Sequence, residues 1–388
     1  MRKKLFGTLI GLLCLLEGTA QWKQVGKAGF NVGNPEAISF AMSDQGELYL
    51  LYKSREEGKP SDVNVDLGGM LSGEKKKPKV TTADKKSGLN LAKFHGRGWK
   101  AVGGSYFAEG VRDPVIATYE GTPYVLYTDL KDRERATVLK YEGGKWKPLS
   151  EKGFSIAQAK EPDMAFNKDG ELYVAYSDGH NRYQATVRRF DGKDWHYVGS
   201  DQGFSIAEAE HIDLEFSPGG IPHVAYFDAY TEGTTVRRFE GGEWKRLGEL
   251  GKAGSGELSV VMRFDENGTP YVGTQEGGKV GVSVKRFRNG KWDFVGDPNF
   301  TSGGGETLDL LLEAGNVPFV AYKNLYENGA ANVLRFGDGD WDHVGDPNFS
   351  KTISSGLEFL MDGGGDLYVA YMDEMNDFDL TVEKYERK

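Results

Sequence analysis

Two columns of oxygen-bearing side chains recur along this chain at a spacing that would bring them to one place. The first is Asp129, Asp178, Asp228 and Asp373, with Asn324 in the equivalent position. The second is Asp163, Asp213, Asp309 and Glu358, with Ser39, Ser259 and Val115 filling the same column. Carboxylates gathered around a narrow mouth repel one another unless they are protonated, hydrated or bridged by a cation. Oxygen ligands of this kind would suit a hard cation such as Ca2+. Both columns also have a structural reading. Asp and Asn cap turns through backbone N–H groups, and buried polar groups are normally paired with neighbours or water. The first column is therefore read as turn caps and the second as hydrogen bonds to an adjacent unit. A carboxylate-lined face is the alternative.

Residues that break the repetition say more about a ligand. The candidate binding set is Arg112, Asp113, Asp163, His180, Arg182, Tyr183, His211, Asp213 and Tyr230, with Tyr226 expected on the same rim. His, Arg, Tyr and Asp together make a polar site suited to sugars or peptides. His180 or His211 with Asp163 or Asp213 would make an acid/base set. Glycoside hydrolysis needs two carboxylates about 5–10 Å apart, and Asp163 with Asp213 is one such pair. No spacing specifies a nucleophile and its base, so no catalytic residue is assigned. Zinc spacings, the P-loop and the dinucleotide fingerprint are absent from the sequence, and no metal ligand is assigned.

A repeat must position these groups. The seven tryptophans are Trp22, Trp99, Trp146, Trp195, Trp244, Trp292 and Trp341. After a first gap of 77 residues they follow at 47, 49, 49, 48 and 49. A fixed period of this length marks a repeat architecture. One unit reads as four strands: Glu161 to Phe166, Leu172 to Tyr176, Thr186 to Phe190 and Trp195 to Gly199. Lys168-Asp169-Gly170 and Asp191-Gly192 supply turns where hairpins need positive φ. The second strand, Tyr-Val-Ala-Tyr, is apolar on both faces, as a sheet covered on both sides requires. Four-stranded units stacked around an axis meet that condition and leave only short edges.

An aromatic precedes each tryptophan by five residues in six units, from Phe94 before Trp99 to Phe336 before Trp341. The seventh such aromatic, Tyr385, has no tryptophan after it. Trp22-Lys23-Gln24-Val25-Gly26 is the expected missing strand, so the last blade is built from both ends of the chain. The reading is all-β: a seven-bladed β-propeller with four-stranded antiparallel blades. The unit resembles the kelch-like and galactose-oxidase-central-domain-like propellers. That resemblance implies a fold and no activity. A galactose-oxidase-type copper site would need a cysteine, and the only one is Cys14.

Residues 1–20 read as a signal peptide. Arg2, Lys3 and Lys4 precede a short apolar run, and Gly18-Thr19-Ala20 resembles a cleavage site. Residues 21–388 are then expected to form a single exported domain, periplasmic, cell-surface or extracellular. Residues 55–88 are an insertion in the second-to-third-strand loop of blade one, read as a solvated loop or a ligand-contacting flap. The formal charge is −10, and it becomes more negative once the basic leader is gone. Nucleic acid and anionic membrane are poor partners for such a chain. The expected protein is a monomeric, non-catalytic binding or scaffold propeller. Its ligand, a glycan or a protein, would sit on the loop face. The alternative is a carbohydrate-active hydrolase or lyase using carboxylates at the channel mouth. No cofactor is expected, with Ca2+ as the one candidate.

Overall fold

The computed structural model describes residues 21–26, 34–55, 63–66, 79–82, 86–150, 153–251, 259–275, 281–301, 303–304, 307–350, 353–373 and 379–387. The leader expected at 1–20 lies outside the described residues. Seven four-stranded antiparallel sheets form a β-propeller. The inner strands are Asn34–Met42, Val111–Tyr119, Ala159–Phe166, Ala209–Phe216, Val260–Phe264, Leu308–Glu313 and Ile353–Met361. Each packs against the inner strand of the next blade, and Ile353–Met361 packs back on Asn34–Met42, so the ring is closed.

The tryptophan-bearing strand is the outermost in every blade. In blade seven it is Trp22–Gln24, paired with Asp379–Tyr385 in the register Trp22 to Tyr385, Lys23 to Lys384 and Gln24 to Glu383. The last blade therefore closes as expected. Trp22 Nε1 donates to the Val344 carbonyl of blade six at 2.9 Å, and its ring stacks on Phe349 at 4.3 Å. The same lock recurs elsewhere: Trp99 donates to Val25 at 3.1 Å, Trp244 to Val198 at 2.8 Å, Trp292 to Leu247 at 2.7 Å and Trp341 to Val295 at 2.9 Å. Close approach needs a residue without a Cβ beneath the indole. Gly345 holds φ at +77°, and a Cβ there would lie 3.1 Å from Trp22.

Second strands such as Pro222–Asp228 and Leu367–Asp373 are buried along their whole length. Seven apolar clusters result among the described residues, one at each blade junction. Fully buried Leu50, Leu126, Leu214, Met262, Leu310 and Phe359 each contribute about 1.5–3 kcal/mol.

A second repeat signal went unread in the sequence. The pairs Phe154-Ser155, Phe204-Ser205, Phe300-Thr301 and Phe349-Ser350 lie between blades. Their hydroxyls accept the backbone N–H of Ala136 at 2.9 Å, Ala185 at 2.8 Å, Val282 at 2.9 Å and Ala331 at 2.8 Å. All four phenylalanines stack on a tryptophan: Phe154 on Trp195, Phe204 on Trp244, Phe300 on Trp341 and Phe349 on Trp22.

The insertion lies between Leu48–Arg55 and Ser87–Phe94 of blade one. Its described part is a two-stranded ribbon, Val63–Asp66 against Lys79–Thr82. Its glycines Gly68, Gly69 and Gly73 and its lysines Lys75 to Lys77 lie outside the described residues.

Candidate functional site

The second-to-third-strand loops and the loops entering each inner strand share one face. The first aspartate column builds the former. Asp129 Oδ1 accepts Lys131 N at 2.8 Å, Asp178 accepts His180 N at 2.9 Å, Asp228 accepts Tyr230 N at 3.0 Å and Asn324 accepts Tyr326 N at 3.1 Å. These are turn caps, as read from the sequence. They place the next residues outward: Leu130 is 45% exposed, Tyr230 74%, Leu325 48% and Tyr326 65%. Ile206, 53% exposed, stands beside Tyr230, since its N–H binds the same Asp228 at 3.1 Å. Tyr226 is not on this rim. It is fully buried, because its hydroxyl faces Arg237 Nε at 3.0 Å inside the blade.

The second column lines the central channel. An inner strand has no neighbour on its channel edge, so one N–H per blade needs an acceptor. Leaving it bare would cost about 1–3 kcal/mol. Each column residue reaches forward to the next blade. Ser39 accepts Ile116 N at 3.2 Å and Asp163 accepts Leu214 N at 2.7 Å. Asp213 accepts Met262 N at 2.6 Å, Asp309 accepts Phe359 N at 3.1 Å and Glu358 accepts Phe40 N at 3.4 Å.

The blade-five member is Val261, not Ser259. Val261 pairs with Gly273 as Asp213 pairs with Ala225. The strand carries no acid to fix its alignment, and a slip of two residues keeps the same face. Val115 and Val261 offer no acceptor to the blade that follows. There, Asp163 and Asp309 turn their second oxygen onto their own chain, at Met164 N and Leu310 N, both at 2.8 Å. Every channel-edge N–H in this layer is thereby satisfied.

One layer further along stands Arg263, which sequence reasoning missed. Its guanidinium binds Asp213 at 3.2 Å, Glu215 at 3.1 Å and Asp309 at 3.0 Å. The equivalent positions in the other blades are Ala41, Ala117, Ala165, Leu311 and Leu360, so the Glu215–Arg263 pair is unique to this layer. Five carboxylates share one cation. Burial, then the neighbouring Asp213 charge, pushes Asp163 up to about 7. Burial likewise raises Glu215 and Glu358, each to about 8, and raises Asp213 and Asp309 against the pull of Arg263. Several of these groups hold protons at neutral pH. No cluster of three or more metal-ligating side chains suited to an ion occurs among the described residues.

Above the channel, blades two to four carry a polar comb. Arg112 binds Asp113 at 3.2 Å and Glu134 at 3.0 Å. Glu134 accepts from Gln158, and Gln158 accepts from the Tyr183 hydroxyl at 2.6 Å. Lys160 sits 3.8 Å from the Tyr183 ring centre and pairs with Glu208 at 2.8 Å. His211 donates its N–H to Glu161, and its Nδ1 lies 3.9 Å from the same carboxylate. Burial raises Glu161.

Asp113, Glu161 and His211 occupy equivalent bulges at φ of 51°, 45° and 53°. Left-handed non-glycine residues of this kind cluster at functional sites. The structure thus brings Arg112, Asp113, Tyr183 and His211 to one rim. His180 and Arg182 stand exposed at a loop tip, Tyr230 stands at another, and Asp163 and Asp213 lie below in the channel. Glu161, Gln158 and Lys160 were not singled out in the sequence. They belong to inner-strand entries, whose aim depends on a bulge.

No protein-family model and no curated protein matches the chain. Solved structures do. The chain is similar to an ulvan lyase, a polysaccharide lyase, at 12% identity over 92% of this chain and 94% of that one, TM-score 0.55. It is similar to a protein of unknown function from Dyadobacter fermentans at 12% identity over 95% and 99%, TM-score 0.52. It is similar to the extracellular domain of a hybrid two-component system from B. thetaiotaomicron at 9% identity, over 95% of this chain and 40% of that one, TM-score 0.57. The likeness is one of fold. No helix among the described residues is long and apolar enough to cross a membrane.

Proposed function

We propose that this propeller is an exported, non-catalytic glycan-binding protein and that the loop face over blades two to six is its ligand surface. The observation that carries the reading is the two exposed loop-tip tyrosines, Tyr230 of blade four and Tyr326 of blade six, on the face where blades two to four carry a comb of donors and acceptors. Sugars are bound by aromatic faces that stack on their C–H surface and by polar groups that fix their hydroxyls. Arg112, Tyr183, Lys160, Glu208 and His211 offer both signs of hydrogen-bonding group within one rim. The channel carboxylates support a binder over a hydrolase, because Asp163, Asp213, Asp309 and Glu358 already accept backbone N–H groups. The likeness to a polysaccharide lyase is consistent with a carbohydrate ligand.

A second reading, a lyase or hydrolase, has one observation in its favour. Glu161 and His211 face one another at the channel mouth with the carboxyl raised by burial. A glycan array with and without Ca2+ tests the first reading, repeated with Tyr230→Ala and Tyr326→Ala. Binding that falls at least tenfold in the variants, with unchanged unfolding, supports it. Depolymerisation of an array hit by the protein, lost in His211→Ala, would replace it with the second.

A further inference from the structure

Blade two differs from blades three and four in one internal position. In blade three Arg188 pairs across the sheet with Val174 and Tyr197, and in blade four Arg237 pairs with Val224 and Arg246. The same position in blade two is Leu139, paired with Val125 and Pro148. The two arginines fill the flank of their own blade. Arg188 donates to the Phe154 carbonyl at 2.6 Å and lies 4.1 Å over the Tyr197 ring. Arg237 donates to the Tyr226 hydroxyl at 3.0 Å and to the Trp244 carbonyl at 3.2 Å. In blade two the shorter Leu139 and Pro148 leave an open cleft of about 390 Å3.

The remaining furniture of that position is kept. Tyr127 stands where Tyr176 and Tyr226 stand, Asp129 where Asp178 and Asp228 stand, and Thr137 where Thr186 and Thr235 stand. Tyr127, Asp129, Lys131, Asp132 and Thr137 line the cleft, and Asp132 is paired with Arg135. The Thr137 hydroxyl is buried without a partner. Its counterpart Thr235 is equally unpartnered beneath Arg237, so the hydroxyl belongs to the position, and the open space is what sets blade two apart from blades three and four. Burial raises the Tyr127 hydroxyl pKa, and the Asp129 and Asp132 charges raise it further.

We infer that this cleft is a binding site for a guanidinium group, the chemistry that fills the same space from within in blades three and four. The guest would meet the Tyr127 hydroxyl and the carbonyls of Phe107 and Trp146, the blade-two counterparts of the acceptors that Arg188 and Arg237 use. Two sources carry this chemistry, a small alkylguanidinium compound and an arginine side chain on a peptide. The inference is independent of the glycan reading, since none of the cleft's named residues is in the rim comb.

Calorimetric titration of the full protein tests it, with n-propylguanidinium, the neutral isostere n-propylurea, and a blocked Gly-Arg-Gly peptide as probes. One saturable site for propylguanidinium is expected, with the urea at least tenfold weaker. Leu139→Arg and Pro148→Tyr rebuild the neighbouring blades and should each weaken binding at least tenfold while the melting temperature holds or rises. A peptide tenfold tighter than propylguanidinium points to a protein partner, and equal affinity points to a small compound. Absence of saturable propylguanidinium binding up to the order of 10 mM, where binding energy is already below about 3 kcal/mol, overturns the inference. So does equal binding of the urea, or unchanged affinity in a folded Leu139→Arg or Pro148→Tyr.

Discussion

Glu358→Gln should stabilise this protein in alkaline solution. Glu358 joins blade seven to blade one by accepting Phe40 N at 3.4 Å, and burial raises its carboxyl from 4.5 to about 8. Between those two pH values the folded state holds a proton that the unfolded chain has released. Stability therefore falls as pH rises through this window, and the loss is complete above the folded pKa. At 1.36 kcal/mol per unit, a shift from 4.5 to about 8 corresponds to at most about 5 kcal/mol. The channel is partly wetted, with the Asp213 and Asp309 side chains 13% and 15% exposed, so solvent screening brings the expectation to about 1–3 kcal/mol. Glutamine keeps the acceptor oxygen for Phe40 and mimics the protonated acid. The variant should match the wild type within about 0.5 kcal/mol at pH 5 and exceed it by about 1–3 kcal/mol at pH 9. Urea unfolding at pH 5, 7 and 9 reads both quantities. A variant no more stable than wild type at pH 9, or one whose advantage is the same at every pH, refutes the reasoning.

Two further outcomes follow from the same ring. Arg263→Met removes the cation shared by Asp213, Glu215 and Asp309 and should cost about 3–5 kcal/mol at pH 8. The cost should shrink as pH falls, since protonation relieves the repulsion left among those carboxylates, and a loss independent of pH in chemical denaturation would contradict the assignment. Deleting residues 21–26 strips blade seven of its outer strand and of the Trp22 lock on Val344 and Phe349. The indole alone is worth about 3–5 kcal/mol, and unchanged thermal unfolding would sink the closure.

The fold was legible because the tryptophan is tied to the junction between blades. An indole that must reach the preceding blade cannot drift in register, so its period survives where the strands between diverge. The closing strand was legible for the same reason, since Trp22 could be matched to Tyr385 by the spacing of the other six. The turn-capping aspartates were readable because capping is local. The channel was less so. Which N–H Asp163 serves depends on a strand some fifty positions away, and the blade-five register was lost where Val261 replaces the acid. Arg263 sits on the same face as a run of Ala and Leu and gives no signal until seven strands converge. The cleft in blade two was invisible because it consists of two side chains that are smaller than their counterparts.

The forward-reaching acceptors of the channel also constrain how such a ring can be inherited. A blade copied to a new place brings an oxygen intended for its successor and an amide that expects one from its predecessor. Val115 is tolerable only with Asp163 behind it, and Val261 only with Asp309. The piece that can be duplicated, swapped or grafted is thus the junction, spanning the end of one repeat and the start of the next. Chimeras cut at blade boundaries should therefore fail more often than chimeras cut through the middle of a blade.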